Sequence, residues 1–397
     1  MLFMNNKAKD YLLDSLNVKL AERPQKITEA RRNGKRVVGY FCPYGTEELI
    51  LAADLIPIRL VFGGDAAAIS AGEEFLKSQI CPYVCSAIGY KQLSINDYYN
   101  NLDGVCIPQT YDSMKILGDY YQKYFNLPVF HLGIPRTHNV LRNKPHAFEY
   151  FINELKLLRT RLGEFSGKKA TDIRTRQAIT LCNRIRDKLL LLHKLTQERH
   201  PPIKWRQILQ ITQAGFLLDR SDYLKELEKI VNTLKAKASP EGTDDKRSRL
   251  MIIGSLIGIG DERILDVIDQ AGGNVVADSV CTGSMFLRKK VPTFGILSKP
   301  VDTIAERYLY NVPCPFMIDK SRRLNRIVKT AKDYRVHGMI YYSLRSNETW
   351  RSEFKAIKDV LYKNLSIPTL LIETDYSTNN KEEILEKVKS FLKLVGG

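Results

Sequence analysis

Two closely spaced cysteines are the first residues of this sequence that suggest chemistry. The segment QICPYVCSAIG, residues 79 to 89, places Cys81 and Cys85 four positions apart. On a helix, side chains at i and i+4 stack on one face. The two thiols could therefore bind one metal centre, or they could pack together against a neighbouring element, and the spacing allows both interpretations.

Most of the other cysteines lie at the ends of predicted elements. Cys42 follows an apolar run, Cys106 ends another, Cys281 comes directly after NVVADSV and Cys314 lies in the loop NVPCPF. Ligands of open parallel sheets bind beyond the carboxyl ends of the strands. We therefore expect a thiolate site in such a cleft, whereas Cys182, inside a long amphipathic helix, is expected to be structural.

Thiolates favour zinc and iron–sulfur clusters over magnesium or calcium. The sequence lacks the two close cysteine pairs of a typical structural zinc site, so zinc is the weaker candidate. A cluster held from separate strand ends leaves no short signature. There is no G-x-S-x-G or H-E-x-x-H motif, and GSLIGIGDE (254–262) matches neither the Walker pattern nor G-x-G-x-x-G. Close packing explains that glycine-rich turn better, and a hydrolase is not indicated.

The elements that position these cysteines form two α/β halves. The runs KRVVGYF, IPIRLVF, DGVCIP and LPVFHL predict four strands separated by helical patterns, one of them around residues 70 to 95. RLMIIGSLI, NVVADSV, HGMIYYSL and TLLIETD predict four more. Such alternation is typical of parallel sheets with helices on both faces. We predict an N-terminal α/β domain (1–144), a basic helical segment (145–246) and a C-terminal α/β domain (247–397).

The charge is uneven along the chain. The net charge is +17, and the segment from Lys156 to Arg206 holds 14 Lys and Arg against 4 acidic residues. A surface of this kind meets nucleic acid, an acidic partner protein or a phosphate-bearing ligand, or it is simply a solvated helical face. No nucleic-acid recognition motif or interleaved aromatic platform accompanies the charge, so nucleic acid is not expected as a partner.

The sequence predicts a cytoplasmic protein. No apolar run approaches the roughly 20 residues that cross a bilayer, and the start MLFMNNKAKDYLLDSL lacks the apolar core of a signal peptide. Seven cysteines in 397 residues are too few for a disulfide scaffold. A reducing compartment would leave them as thiols that are available to metal or redox chemistry.

Seven segments follow one another along the chain in an informative order. The first is FCPYGTEELILAADLIPIRL, in which a turn leads into a Glu-Glu-Leu-Ile helix and then an apolar strand. The others are QICPYVCSAIG, LDGVCIPQTYDSMKIL, VADSVCTGSMF, ERYLYNVPCPF, VHGMIYYSLRSNETW and IPTLLIETDYS. Together they run from residue 41 to residue 377. No single motif is specific, but the seven in this order resemble the subunits of 2-hydroxyacyl-CoA dehydratases and benzoyl-CoA reductases (D-component type).

The resemblance implies paired flavodoxin-like (Rossmann-like) domains with a helical insert, and a subunit that carries a 4Fe-4S cluster on three cysteines. An ATP-dependent activator protein would deliver a low-potential electron, which the cluster passes to an acyl-CoA thioester. The expected activity is that of a dehydratase-like lyase or a reductase-like oxidoreductase in anaerobic metabolism. The subunit is expected to form a dimer with itself or with a homologous subunit. The sequence does not define the acyl group, and it does not distinguish dehydration from reduction.

The cluster ligands that the resemblance implies are incomplete. Cys81 stands at the family's first ligand position, but Tyr111 replaces the second cysteine, and Ser346 and Asn347 occupy the region of the third. Cys281 and Cys314 match family positions near the site, although Met285 stands where an arginine is common. The missing thiols leave two interpretations open.

In the first interpretation the ligand set is rebuilt from Cys81, Cys85 and Cys106, with Cys42, Cys281 or Cys314 completing it or holding a larger double-cubane cluster. The chain would then be the iron–sulfur subunit of an ATP-activated system. In the second, the cluster is lost, and the chain is a non-catalytic partner subunit or regulator that retains the fold.

Overall fold

The computed structural model describes residues 12–76, 80–135, 145–236, 245, 247–293, 298–316, 320–346, 348–376 and 380–396. These residues form two parallel sheets surrounded by helices, so the α/β class is confirmed. No helix among the described residues combines the length and the apolar character that a membrane crossing requires. The domain boundaries at residues 144 and 246 stay a prediction.

The first sheet has four parallel strands in the order β2-β1-β3-β4. The strands are β1 (Val37–Tyr40), β2 (Ile56–Arg59), β3 (Gly104–Pro108) and β4 (Val129–Leu132). Every residue of β1 and β3 is buried, as expected for central strands that helices cover on both faces. The helices of this half are α1 (Asp14–Arg32), α2 (Glu47–Ala52), α3 (Ala66–Phe75), α4 (Pro82–Gln92), α5 (Asp97–Asn100) and α6 (Asp112–Tyr124).

The single helix predicted around residues 70 to 95 is wrong, because two helices lie there. Helix α3 ends at Phe75 and α4 begins at Pro82. Proline has no N–H to donate and its φ fits the first helical turn, so Pro82 starts a new helix rather than continuing α3. Cys81 consequently becomes the N-cap of α4, and Cys85 lies inside the helix.

The second sheet repeats the arrangement of the first, with the strand order β6-β5-β7-β8 and all pairs parallel. Its strands are β5 (Arg249–Gly254), β6 (Asn274–Val280), β7 (Gly338–Leu344) and β8 (Thr369–Thr374). A short 3-10 helix (Ser284–Leu287) follows β6. The other helices are α11 (Arg263–Gln270), α12 (Pro300–Asn311), α13 (Lys320–Asp333), α14 (Glu348–Leu365) and α15 (Lys381–Gly396).

Four helices connect the two sheets: α7 (Pro145–Ser166), α8 (Asp172–Leu195), α9 (Trp205–Ala214) and α10 (Arg220–Ala236). Part of their positive charge is neutralised by carboxylates. Lys168 lies 2.6 Å from Asp54, and Arg206 lies 2.6 Å from Glu262 in the second half. The positive charge that a partner could contact is therefore smaller than the net charge of the segment.

Loops of the two halves touch directly. Phe62, after β2, and Ile259, in the glycine-rich turn after β5, form a parallel bridge. The N–H of Gly63 donates to the carbonyl oxygen of Ile259 at 3.0 Å. A Cβ on Gly258 would lie 2.9 Å from the nitrogen of Gly63, so close packing explains this glycine. Both hydrophobic clusters contain residues of both sheets, and the core is continuous across the junction.

Candidate functional site

A cavity with about 580 Å³ of empty space lies where the two halves meet, and four of the predicted cysteines line it. Cys42 follows β1, Cys281 follows β6, Cys81 precedes α4, and Cys314 lies in the loop after α12. The cavity is thus built from residues beyond the carboxyl ends of both sheets, where ligands of parallel α/β sheets bind.

Cys42 occupies an unusual backbone conformation. Its φ is 60°, a left-handed value that costs a residue with a Cβ about 1–2 kcal/mol. Its sulfur lies 3.5 Å from the hydroxyl of Thr110, which follows β3. Burial raises the pKa of Cys42 to about 12, and the neighbouring Cys281 adds to the shift. Cys42 is therefore a neutral thiol at physiological pH.

Cys81 is positioned by the start of α4. Burial raises its pKa, while the N–H of Tyr83, the hydroxyl of Tyr111 and the N–H of Val84 act in the opposite direction without reversing the shift. Backbone N–H groups at a helix N-terminus point outward and favour a negative charge there. Among the cavity thiols, Cys81 is the one placed to gain from a helix terminus.

An aromatic row forms one wall of the cavity. The ring of Tyr111 stacks on Phe316, with centroids 5.0 Å apart and planes 15° apart. Phe316 in turn meets Trp350 edge-on at 6.2 Å. Burial and the nearby Cys81 raise the pKa of Tyr111, so the phenol stays protonated. The row gives the cavity a rigid apolar surface with one hydroxyl beside the Cys81 thiol.

Cys281 lies in direct contact with a cation. Nη2 of Arg59 donates to the carbonyl oxygen of Cys281 at 3.0 Å and lies 3.3 Å from its sulfur. Burial raises the pKa of Cys281, and the charge of Arg59 offsets part of that shift. The neighbouring guanidinium favours the thiolate, so the pKa of Cys281 rises less than burial alone would cause.

A buried ion pair contacts and stabilises the loop that carries Cys314. Arg323 of α13 donates to the carbonyl oxygen of Pro313 at 2.6 Å and pairs with Glu353 of α14 at 3.0 Å. Burial raises the pKa of Cys314. The loop therefore has a defined conformation, with its thiol neutral and directed at the cavity that it lines.

The structure does not bring Cys81, Cys85 and Cys106 to one place. On β3 the side chain of Cys106 belongs to one hydrophobic cluster, whereas Val105 and Ile107 belong to the other, together with Cys81. Side chains alternate between the faces of a strand, so Cys106 and Cys81 lie on opposite faces of the first sheet. Burial raises the pKa of Cys106 to about 12. The positions of Cys106 and Cys81 do not support a ligand set of these three thiols, and that set stays a prediction.

Cys85 packs inside the pair of helices α3 and α4. Its backbone lies against Gly72, where an added Cβ would be 2.0 Å from the carbonyl oxygen of Cys85. Burial raises the pKa of Cys85 to about 12, and the nearby Glu73 adds to the shift. It is fully buried, and it is not among the residues that line the thiol cavity. Its role in the fold is packing.

The sequence-based candidates did not include Arg59 or the aromatic wall. Arg59 does carry a signal, since it is the only charged residue in the apolar run IPIRLVF and ends a strand that is mostly buried. Phe316 and Trp350 have no comparable signal, because an aromatic residue in a loop or a helix is an ordinary core residue. Their convergence depends on how α14 packs beside the loop of Cys314.

Comparison with known proteins identifies the relationship. A family profile described as 2-hydroxyglutaryl-CoA dehydratase, D-component, matches residues 42–394. The chain belongs to this D-component family. The resemblance seen in the ordered motifs is therefore confirmed, and it extends over nearly the entire chain.

The individual relatives share low sequence identity with this chain, but each match covers most of its length. The chain is 26% identical over 370 residues to YjiM of Escherichia coli (strain K12), named as a dehydratase subunit, covering 93% of this chain and 94% of that one. It is 22% identical to the (R)-phenyllactyl-CoA dehydratase beta subunit of Clostridium sporogenes, covering 94% and 96%. It is 24% identical to a benzoyl-CoA reductase subunit of Thauera aromatica, covering 70% and 68%.

The described residues do not fit the three-cysteine ligand set that the resemblance implies. Cys81 is present, but Tyr111 stands at the second position with its ring fixed against Phe316. Ser346 follows β7 near the third position, and Asn347 lies outside the described residues. Within the described ranges, no group of three or more His, Cys, Asp or Glu side chains is arranged to hold a metal ion.

Proposed function

We propose that this chain is a subunit of an ATP-activated 2-hydroxyacyl-CoA dehydratase-like or acyl-CoA reductase-like system that does not hold the family's cluster. In this proposal its cavity receives the thioester end of a CoA substrate. The observation that carries the proposal is the position of Tyr111. A half-buried, protonated phenol that stacks on Phe316 at 5.0 Å takes the place of a thiolate ligand.

The properties of the cavity suit an acyl group. The wall is apolar, through Val61, Leu256 and the aromatic row, with one cation, Arg59, at its edge. The thiols are neutral at physiological pH because burial raises their pKa values. An apolar pocket with a single guanidinium fits an acyl chain with a carbonyl or hydroxyl group.

The relatives indicate which partners to expect. Two of them are named as subunits of enzymes that act on (R)-phenyllactyl-CoA and benzoyl-CoA. By analogy, this chain would pair with a homologous subunit, or with a second copy of itself, and with an ATP-dependent activator protein. The redox cofactor would then reside on the partner, and this chain would supply the substrate pocket.

A second candidate keeps a cluster in this chain, and one observation favours it. Four thiols, those of Cys42, Cys81, Cys281 and Cys314, line the same cavity. Thiolates are the usual ligands of iron–sulfur clusters. A 4Fe-4S cluster would supply one-electron chemistry, and a larger double-cubane cluster would need additional thiols. In that case the chain would be the electron-transferring subunit.

Iron analysis separates the two candidates. The protein would be purified without oxygen, treated with iron and sulfide, desalted, and examined for iron, acid-labile sulfide and visible absorbance. The cluster-free subunit is expected to be colourless with substoichiometric iron. Stoichiometric iron and sulfide that are lost in Cys81→Ala and Cys281→Ala, but kept in the control Cys182→Ala, would contradict our proposal and establish the second candidate.

Tryptophan fluorescence would measure substrate binding, because Trp350 lines the cavity and the only other tryptophan, Trp205, does not. In a Trp205→Phe background, titration with 2-hydroxyacyl-CoA or aromatic acyl-CoA thioesters is expected to change the Trp350 fluorescence in a saturable way. Phe316→Ala, which removes the ring between Tyr111 and Trp350, should weaken binding. A Trp350 signal that no CoA thioester changes, in a protein that circular dichroism shows to be folded, would contradict the pocket assignment.

A further inference from the structure

A second cavity, with about 430 Å³ of empty space, lies next to the thiol cavity and shares Pro43 and Arg59 with it. It is set among α2, α8, α10 and the 3-10 helix after β6. Four arginines line it, an unusual number for buried positions: Arg59, Arg186, Arg220 and Arg307. Each of them is at most 2% exposed.

Two of these arginines have carboxylate partners. Nη2 of Arg186 lies 2.5 Å from Glu48, and Nη2 of Arg220 lies 2.8 Å from Glu47. Although burial alone raises it, the two arginines hold the pKa of Glu47 at about 2. Glu47 and Glu48 therefore pair with Arg220 and Arg186, and the charges of these four residues cancel.

The other two arginines have no carboxylate partner among the described residues. Nη2 of Arg59 donates to the carbonyl oxygen of Cys281. The Nε and Nη1 atoms of Arg59 are buried and have no hydrogen-bond partner among the described residues. Among the described residues, Arg307 donates only to carbonyl oxygens, those of Lys289 at 2.9 Å and Phe286. Burial and the charge of Arg186 lower the pKa of Arg307, and the nearby Tyr308, Glu48 and Glu47 offset only part of that shift.

Aromatic stacking does not replace a hydrogen-bonding partner for Arg59. Its guanidinium carbon lies 4.5 Å from the ring centre of Phe216 and 5.1 Å from that of Phe286. Stacking engages the face of a guanidinium, whereas its N–H groups donate at the edge. A buried charge without a partner costs several kcal/mol, and a guanidinium edge matches the oxygens of a carboxylate or a phosphate.

We propose that this cavity binds an oxyanion, a carboxylate or a phosphate group, through Arg59 and Arg307. The anion would accept from the unpartnered N–H groups of Arg59, balance the charge that Glu47 and Glu48 leave uncompensated, and lie against the rings of Phe216 and Phe286. The proposal concerns the free protein and does not rest on the function proposed above. It also connects the two cavities, because Arg59 lines both.

The test is a calorimetric titration of the full-length protein with inorganic phosphate and, separately, with succinate, each at an ionic strength matched with sodium chloride. Saturable binding of at least one anion is expected, and the comparison shows whether phosphate or carboxylate is preferred. Arg59→Gln and Arg307→Gln should each weaken binding about tenfold or more, the value of one charge-assisted hydrogen bond. Arg307→Lys, which keeps the charge, should lose less.

The matched control is Arg36→Gln. Arg36 is exposed and stacks on Phe165 at 4.6 Å, away from this cavity, so its removal should leave anion affinity unchanged. Circular dichroism would show whether each variant is folded. If Arg59→Gln does not fold, Arg307→Gln alone tests the proposal. The proposal is overturned if neither anion binds saturably, or if the cavity variants bind as tightly as Arg36→Gln. The Trp350 response to CoA thioesters is a separate readout of the other cavity.

Discussion

The thiols of the cavity differ in what surrounds them, and these surroundings set their reactivity. Burial raises the pKa of each, yet within the described part of the chain only Cys281 has a guanidinium in contact with its sulfur, at 3.3 Å from Arg59. Cys81 has backbone N–H groups and the Tyr111 hydroxyl instead. Since the thiolate is the reactive form, the charge beside Cys281 should offset part of the loss of reactivity that burial causes.

Removal of that charge should slow the reaction of Cys281. In Arg59→Gln the pKa of Cys281 is expected to rise further, because the cation that favours its thiolate is gone. Loss of an opposite charge at this distance corresponds to about one pKa unit, or about tenfold slower alkylation below the pKa. Site-resolved mass spectrometry after iodoacetamide pulses between pH 7 and 10 would measure the rates.

A matched arginine variant provides the control. The charge of Arg345 lowers the pKa values of Cys81 and Cys85 but is not among the influences on Cys281. Arg345→Gln should therefore leave the alkylation rate of Cys281 as in the unmodified sequence. Equal pH profiles for Cys281 in Arg59→Gln and in the unmodified protein would show that the contact does not control its acidity.

Cys81 reaches the cavity because α3 and α4 pack backbone against backbone. A Cβ on Gly89 would lie 1.7 Å from the carbonyl oxygen of Ala68, and a Cβ on Gly72 would lie 2.0 Å from that of Cys85. Neither neighbour is a flexible side chain that could move aside. The two glycines therefore set the distance between the helices, and with it the position of the α4 N-terminus.

Gly89→Ala is expected to separate the helices and to destabilise the protein by about 3 kcal/mol or more, because overpacking against backbone cannot relax locally. Urea unfolding followed by circular dichroism would measure the change. Gly163 in α7 is the control, since its nearest neighbour would be an ordinary 3.4 Å away. Gly163→Ala should be neutral or stabilising through helix propensity. A Gly89→Ala protein as stable as Gly163→Ala would mean that the helices are not in close contact.

The strands of this fold were predictable from the sequence, but the way in which distant residues meet at the cavity was not. Apolar runs of strand length predicted all eight strands. Helix α1 was not predicted, and Pro24 lies inside it. Alternation along β3 places Cys106 opposite its two neighbours, but only the position of the second half shows which face meets the cavity. Distant residues such as Cys42 and Cys281 come together through sheet order, which local pattern does not encode.

At the scale of the whole molecule, buried weak acids are spread through both halves. Burial raises the pKa of Cys106 in the first sheet to about 12 and that of Cys314 beside the second. Burial also raises the pKa values of Tyr121 in α6 and Tyr342 in β7. All of these groups are neutral near pH 7, so they are compatible with a continuous apolar core.

These groups predict a loss of stability on the alkaline side. In the unfolded chain a thiol deprotonates near its usual pKa of 9.0 and a phenol near 10.0, whereas the folded protein keeps both protonated to higher pH. The unfolded state then binds fewer protons than the folded state, so the free energy of unfolding falls as the pH rises from about 9 towards 12. Below about pH 9 the stabilisation from these groups is fully present.

Urea unfolding at pH values from about 7.5 to 11 would measure this dependence. Cys106→Val removes one such group from the core with little change in side-chain volume, so the fall in the free energy of unfolding between pH 9 and 11 should be smaller in that variant. The matched control is Cys281→Val at the partly exposed cavity edge, where less burial opposes ionisation and Arg59 favours it. Its slope should stay closer to that of the unmodified protein. A free energy of unfolding that stays constant to pH 11 would mean that these thiols and phenols ionise in the folded state as they do in water.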